Sequence, residues 1–501
     1  MDKKTKVKKP KLSFKQRLDN FFEISKHGSN FKTEIIAGLT TFFAMAYIVV
    51  TNPNQVVGFK HLTESVMQGE LQKIWYAVYV ASILAAVFGT LLYAFYAKMP
   101  FAQACGMGLN SFFFTSFILP EFSKSGDVIK GYKEGLAVIL LSGALFIILS
   151  VTGLRSYIAK SLPDCLKKSI PAGIGLFIAF LGFQNVDLIQ YNEYTLVQLF
   201  DFHGEWIKAT QGGSLFDAWC AIVPVLLTIV GLCVMGVLSQ HKVKGSVIFT
   251  ILGTTVLYYF FTWQLPVLDF TSIGDSFKAF GTEGLFGAFT GFKTLFTTGG
   301  VFTWGTLFSV ISLTITFCLV DMFDTMGTLY AAASQANMLD ENGDPVNLKR
   351  SMNSDSIATI TGSLLGTSTC TTFVESSVGV GVGGRTGFTS LITASCFFVC
   401  LFLTPVATII PACATAPALI YIGVLMLKGF AKVDMEDLSS AIPAFLTLVM
   451  MPLTYSISNG IAIGAISYVL IRLIMGKFQK KDITVTIIAI LFALRFALIT
   501  W

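Results

Sequence analysis

Residues 369–377 read T-C-T-T-F-V-E-S-S. Glu375 sits in a strongly apolar part of the chain, and no Lys or Arg follows it before Arg385. The run of small hydroxyl residues ahead of it favours local turns and extended chain over helix. The stretch reads as an extended piece followed by a short helix. Non-helical backbone at membrane depth survives only where protein or a water-filled cavity covers it. Whether this stretch lies at that depth depends on the rest of the chain.

The 501 residues are 54% hydrophobic and only 13% charged, with a mean hydropathy of +0.71. Soluble domains carry about a quarter charged residues. Windows 135–152, 218–239 and 387–410 are free of charge, and each is long enough to cross a bilayer as a helix. The chain therefore reads as an all-α polytopic membrane protein embedded in a lipid bilayer.

About fourteen spans are expected. They centre near 34–52, 74–97, 101–119, 134–153, 170–189, 218–239, 245–263, 305–332, 355–367, 369–385, 387–408, 411–428, 439–455 and 457–476. A further apolar segment, 483–498, contains Arg495 and reads as an interfacial helix or an extra crossing.

The first seventeen residues hold eight Lys or Arg and one Asp, with no apolar core of a signal peptide. Basic residues also follow even-numbered spans: Arg155, Lys160, Lys167 and Lys168, then Lys242 and Lys244, then Arg472, Lys477, Lys480 and Lys481. The positive-inside rule then places both termini in the cytoplasm. The net charge of +6 comes largely from the basic tail, so no nucleic-acid partner is expected. The nine cysteines are unpatterned and read as free thiols. No metal-ligand spacing stands out. The four histidines, His27, His61, His203 and His241, lie in tail or loop stretches, so a membrane-embedded histidine relay is not expected.

A second stretch looks like the first. Residues 101–111, F-A-Q-A-C-G-M-G-L-N-S, follow Pro100 and contain two glycines. Cys105 precedes Asn110-Ser111 by five places, as Cys370 precedes Glu375-Ser376. Each stretch lies on the third span of a seven-span half. Seven crossings reverse the side, so the two halves would be inverted repeats. Paired interrupted segments in two halves point to a transporter binding site.

Three carboxylates inside spans stand out: Asp321, Asp324 and Glu375. Each costs roughly 2.5–3.5 kcal/mol at the bilayer centre. Asp321 and Asp324, at i and i+3, share a helix face. Crowding and lost hydration favour a proton on at least one acid, so all three are candidates for proton coupling. Capping a broken helix is the plainer alternative for Asp321 or Asp324. Asn110 offers both donor and acceptor. Acids and an amide suit a flat polar heterocycle better than an inorganic anion. Phe112 and Phe373 lie close by. Arg385 reads as the cytoplasmic end of its span, and Gly379, Gly381, Gly383 and Gly384 as close helix packing.

Four stretches together, G-L-T-T-F-F-A-M-A-Y-I-V-V-T-N-P, A-C-G-M-G-L-N-S-F-F, V-D-M-F-D-T-M-G-T-L and T-T-F-V-E-S-S-V-G-V-G-V-G-G-R-T-G, resemble the nucleobase/ascorbate transporter superfamily. More narrowly, they resemble its adenine/guanine/hypoxanthine permease branch, from about residue 15 to 495. The resemblance implies two inverted seven-span repeats with short strands in spans 3 and 10. It implies a core domain of spans 1–4 (31–168) and 8–11 (265–410), and a gate domain of spans 5–7 (169–264) and 12–14 (411–480). The tail 1–30 and the segment 481–501 flank them.

The activity it implies is uptake of a purine base with a proton, without a cofactor or metal and without enzymatic chemistry. The implied substrate residues are Asn110, Gly108, an acid on span 8 and Glu375, with Phe373 and Ser376 beside it. D-T-M-G places Asp324 where uracil permeases carry a glutamate, and Thr328 where they carry a histidine; Asp321 stays in play. Asp437, before span 13, is a further candidate for transport. Alternatives are another nucleobase, uracil or xanthine, or an anion within the same fold. Homodimers occur in this fold class.

Overall fold

The computed structural model describes residues 13–58, 68–152, 163–210, 214–241, 243, 245–298, 301–302, 304–335, 338–339, 345–373 and 375–498. The basic residues 1–12, Arg155, Lys160, Lys242, Lys244 and His61 fall outside them, as does Val374.

Among the described residues, seven helices are long and apolar enough to cross a membrane: 31–57, 69–97, 128–151, 164–185, 215–240, 304–322 and 412–432. Shorter apolar helices cover 246–262, 387–402, 438–453 and 459–474. The remaining three expected spans are the ones whose sequence departs from plain apolar helix. Spans 3 and 10 are broken, and span 9 runs over Leu348–Leu365. Its start lies seven residues before the expected 355, because Ser351, Ser354 and Asp355 are buried among neighbouring spans and form helix despite their polarity.

Span 1 is itself discontinuous. Helix Phe31–Met45 gives way at Ala46-Tyr47, and helix Ile48–Val57 follows. Pro53 lies inside the second piece, where it has no N–H to give. Span 3 consists of strand Gln103–Cys105 and helix Met107–Phe113. Span 10 consists of strand Cys370–Thr372 and helix Ser376–Gly381. Span 8 is one helix, Trp304–Gln335.

The connections expected at 190–217 and 264–300 are more ordered than their mixed polarity suggests. The first holds an antiparallel hairpin, Ile189–Asn192 with Leu196–Leu199, and helix Phe202–Thr210. The second holds helices Thr271–Ala279 and Gly287–Leu295. The segment after span 14 is helix Ile483–Leu498; it packs on Ile457–Ile474 and on span 8, burying Val485, Ala489 and Phe492.

Packing places the two broken spans in the interior. Helix Ser376–Gly381 lies on the first helix of span 1, where a methyl on Gly379 would meet Ala37 O at 2.6 Å. Gly384 is equally tight against Ala37 Cβ, at 2.8 Å, whereas Gly381 faces open space. Helix Met107–Phe113 meets span 5, Asp164–Asn185, which in turn packs on spans 12 and 13, Ala412–Met426 and Leu438–Leu453.

Candidate functional site

The two strands pair with each other. They run antiparallel, with Gln103 opposite Thr372, Ala104 opposite Thr371 and Cys105 opposite Cys370. Gly106 N donates to Thr369 O at 2.9 Å, and Phe373 N donates to Ala102 O at 3.1 Å. Each strand thus satisfies the other's backbone, which is what makes extended chain tolerable away from water. The two cysteines that suggested an internal repeat face each other, Sγ to Sγ at 4.0 Å.

The strands lead into short helices that start at different offsets. One begins two residues after Cys105, the other six residues after Cys370. By helix start, the counterpart of Glu375 is therefore Gly106 rather than Asn110; both stand at N-cap positions.

Glu375 is half-buried, and Tyr47 Oη donates to its Oε1 at 2.8 Å. Tyr47 sits at the break in span 1 and was not singled out from sequence. Asp324 is also half-buried, on span 8, which packs on the short helix that follows Glu375. Among the described residues, no basic side chain pairs with either acid. Asp324 Oδ2 lies 3.7 Å from where a methyl on Gly106 would stand.

Asp321, one helical turn away from Asp324, points elsewhere. It is fully buried, and its Oδ2 accepts from Thr359 of span 9 at 3.0 Å. A fourth acid in this region, Asp355, does not stand out in the sequence. It too is fully buried and accepts from Gln103 Nε2 at 2.5 Å, from Thr372 Oγ1 at 3.3 Å and from Thr325 Oγ1. Asp355 thereby ties both strands and span 8 to span 9.

Asn110 is fully buried. Its Nδ2 donates to Asn52 Oδ1 and to Gln55 Oε1 at 3.2 Å, and its Oδ1 accepts from Ser368 Oγ. It joins span 1 to the segment before the second strand. Gly108 faces span 5: a methyl there would fall 2.3 Å from Ile174 Cγ2. Ser376 Oγ accepts from Ala102 N at 2.9 Å, locking the two broken spans together. Phe373 is buried. The Phe112 ring packs on Phe317 with centroids 4.7 Å apart. The Thr328 hydroxyl donates back to its own helix, to Asp324 O at 2.9 Å.

The next cation along the chain, Arg385, is occupied. Arg385 Nη1 donates to Val380 O and Gly384 O, both at 2.8 Å, at the end of the short helix. Beside it the fully buried Glu34 accepts from Arg385 N at 3.0 Å, Thr386 Oγ1 at 2.8 Å and Thr389 Oγ1 at 2.6 Å. Asp437 is a helix cap: its carboxylate accepts from the Ser439 hydroxyl at 2.7 Å, from the Ser440 hydroxyl at 3.0 Å and from Ser439 N at 3.2 Å.

The arrangement offers two partly exposed carboxylates, a phenol and strand backbone around one locus. Such a set accepts hydrogen bonds from N–H groups and carries no positive counter-charge for an anion.

The chain resembles known permeases over most of its length. The Xan_ur_permease family model, described as a permease family, matches residues 32–463. The guanine/hypoxanthine permease PbuO of Bacillus subtilis is 37% identical, over 94% of this chain and 98% of its own. The adenine permease AdeP of Escherichia coli is 33% identical, over 96% of each. Among solved structures, the transmembrane domain of the cyanobacterial bicarbonate transporter BicA superposes with a TM-score of 0.58 at 15% identity, covering 86% of this chain and 97% of that one. That likeness speaks to the fold alone, an inverted-repeat transporter fold.

Proposed function

The chain belongs to the nucleobase/ascorbate transporter superfamily, and on that premise we propose that it imports purine nucleobases together with a proton. The substrates are guanine, hypoxanthine or adenine, and the membrane is the cytoplasmic membrane with both termini inside. The observation that carries this reading is the pair Glu375 and Asp324: two half-buried acids at the strand junction with no basic partner among the described residues. A neutral heterocycle rich in N–H groups matches them, and an inorganic anion does not. The curated relatives' names support a purine base.

Glu375 and Asp324 accept hydrogen bonds from the base. A proton on one of them ties substrate affinity to the proton gradient. Asp321, on span 8 itself, is held by Thr359 of span 9. Asn110 and Ser376 position the two broken spans against span 1 and each other. Movement of a core formed by spans 1–4 and 8–11 against a gate formed by spans 5–7 and 12–14 gives alternating access. Gly108 against Ile174 is a contact between the two.

The test is a competition assay in cells lacking their own purine permeases. Radiolabelled hypoxanthine uptake should be reduced by excess guanine or adenine, left alone by sulfate, and abolished by a protonophore. Sulfate competition, or uptake indifferent to the protonophore, would overturn the reading.

A further inference from the structure

Helix Phe14–Phe22 precedes span 1. Phe14, Leu18, Phe21 and Phe22, at i, i+4, i+7 and i+8, share one face of it. Lys15 and Arg17 flank that face, and Gln16, Asp19 and Asn20 lie on the opposite one. Cations beside an aromatic face mark helices that lie in the plane of a membrane surface.

The protein uses only part of the apolar face. Phe22 is buried against Phe388 at the start of span 11, with ring centroids 5.4 Å apart, and Ile24 is fully buried in the same cluster. Phe14 and Phe21 stay 76% and 46% exposed. Phe21 meets Phe95 with centroids 6.0 Å apart, and Phe95 and Tyr96 are themselves exposed at the end of span 2. An exposed aromatic surface thus runs from a membrane-spanning helix onto this short one, which sets its depth at the membrane edge.

Charge points the same way. Lys15 and Arg17 are exposed; Lys15 Nζ lies 5.5 Å from the Phe31 ring centroid. Lys98 Nζ donates to Phe21 O at 3.2 Å. The acids of the segment are engaged locally: Asp19 accepts from Ser25 N at 2.8 Å and from Ser25 Oγ at 2.6 Å, and Glu23 accepts from Lys26 Nζ at 2.9 Å. Residues 1–32 hold ten Lys or Arg against three acids. An anionic bilayer surface receives both the rings and the cations.

We infer that helix Phe14–Phe22 docks on the anionic phospholipid headgroups of the bilayer. Phe14 and Phe21 enter the boundary between headgroups and acyl chains, and Lys15 and Arg17 meet the phosphates. Through Phe22 and Lys98 the same helix is fixed to the ends of spans 11 and 2, so the lipid contact braces both. The inference does not depend on which solute is carried.

The experiment is amide hydrogen exchange on the full chain in nanodiscs of phosphatidylcholine, with and without phosphatidylglycerol. Exchange over residues 14–22 should slow about 5-fold for each cation that reaches the headgroups, and high salt should reverse most of the effect. Lys15→Gln/Arg17→Gln should lose most of the difference between the lipids. Phe14→Ser, which keeps the charges, should lose part of it. Exchange in the membrane-spanning helices, unchanged from wild type, reports that each variant is folded. Equal exchange in the two lipids, as contact with a second copy of the chain would give, would overturn the inference. So would a phosphatidylglycerol effect that survives in full in either variant.

Discussion

The Tyr47 hydroxyl donates to Glu375 Oε1 at 2.8 Å, joining the break in span 1 to the head of the short helix in span 10. The two residues are 328 positions apart in sequence. The bond holds one carboxylate oxygen in place.

Tyr47→Phe keeps the ring and removes that donor. A hydrogen bond to a charged group is worth about 1.5–3 kcal/mol. Affinity for the base should fall about tenfold or more, with near-normal protein in the membrane. The KM for hypoxanthine uptake checks it; an unchanged KM means that Tyr47 does not position Glu375.

Gly108→Ala drives a methyl into Ile174 Cγ2, 2.3 Å away. Transport should be lost or strongly impaired. Shortening the partner with Ile174→Ala removes the colliding atom, so the double variant should recover uptake. Failure of this rescue, with both proteins present in the membrane, shows that the contact does not limit the cycle.

Asp355→Ala leaves Gln103, Thr325 and Thr372 without their buried acceptor. A loss of about 2–4 kcal/mol is expected, since unsatisfied buried donors cost their full desolvation. Thermal unfolding in detergent should show a clear drop, smaller for Asp355→Asn, which retains one acceptor oxygen.

Much of this site was legible because its residues contradict their surroundings. Glu375 and Asp324 are acids in apolar spans, and the Gly- and Thr-rich stretches interrupt helical pattern. What the sequence hid was equally physical. Asp355 sits in S-M-N-S-D-S, so its polar neighbours made it look like the edge of a loop, although all of Ser351, Ser354, Asp355 and Ser356 are buried. Tyr47 is an aromatic in an apolar run, where burial alone explains it until its partner is known. The Cys105 and Cys370 echo correctly located the facing strands. It misaligned the helices that follow, because the first starts two residues after its cysteine and the second six residues after its own.

Asp437 caps the helix of span 13. The Ser439 hydroxyl, with help from Ser440, holds its carboxyl below the usual carboxylate range. Because the folded value is depressed, the cap's contribution is present above about pH 4, the ordinary aspartate range, and is lost as pH falls through the folded value. Asp437→Ala should cost about 1 kcal/mol at pH 7. That difference should shrink in acid, as read by thermal unfolding at both pH values.

The central claim is that Glu375 binds a purine base. Cells lacking their own purine permeases, expressing either the wild-type chain or Glu375→Ala at matched membrane levels, can be given radiolabelled hypoxanthine. The wild type should accumulate it and the variant should not rise above background. Wild-type uptake by Glu375→Ala would contradict the account.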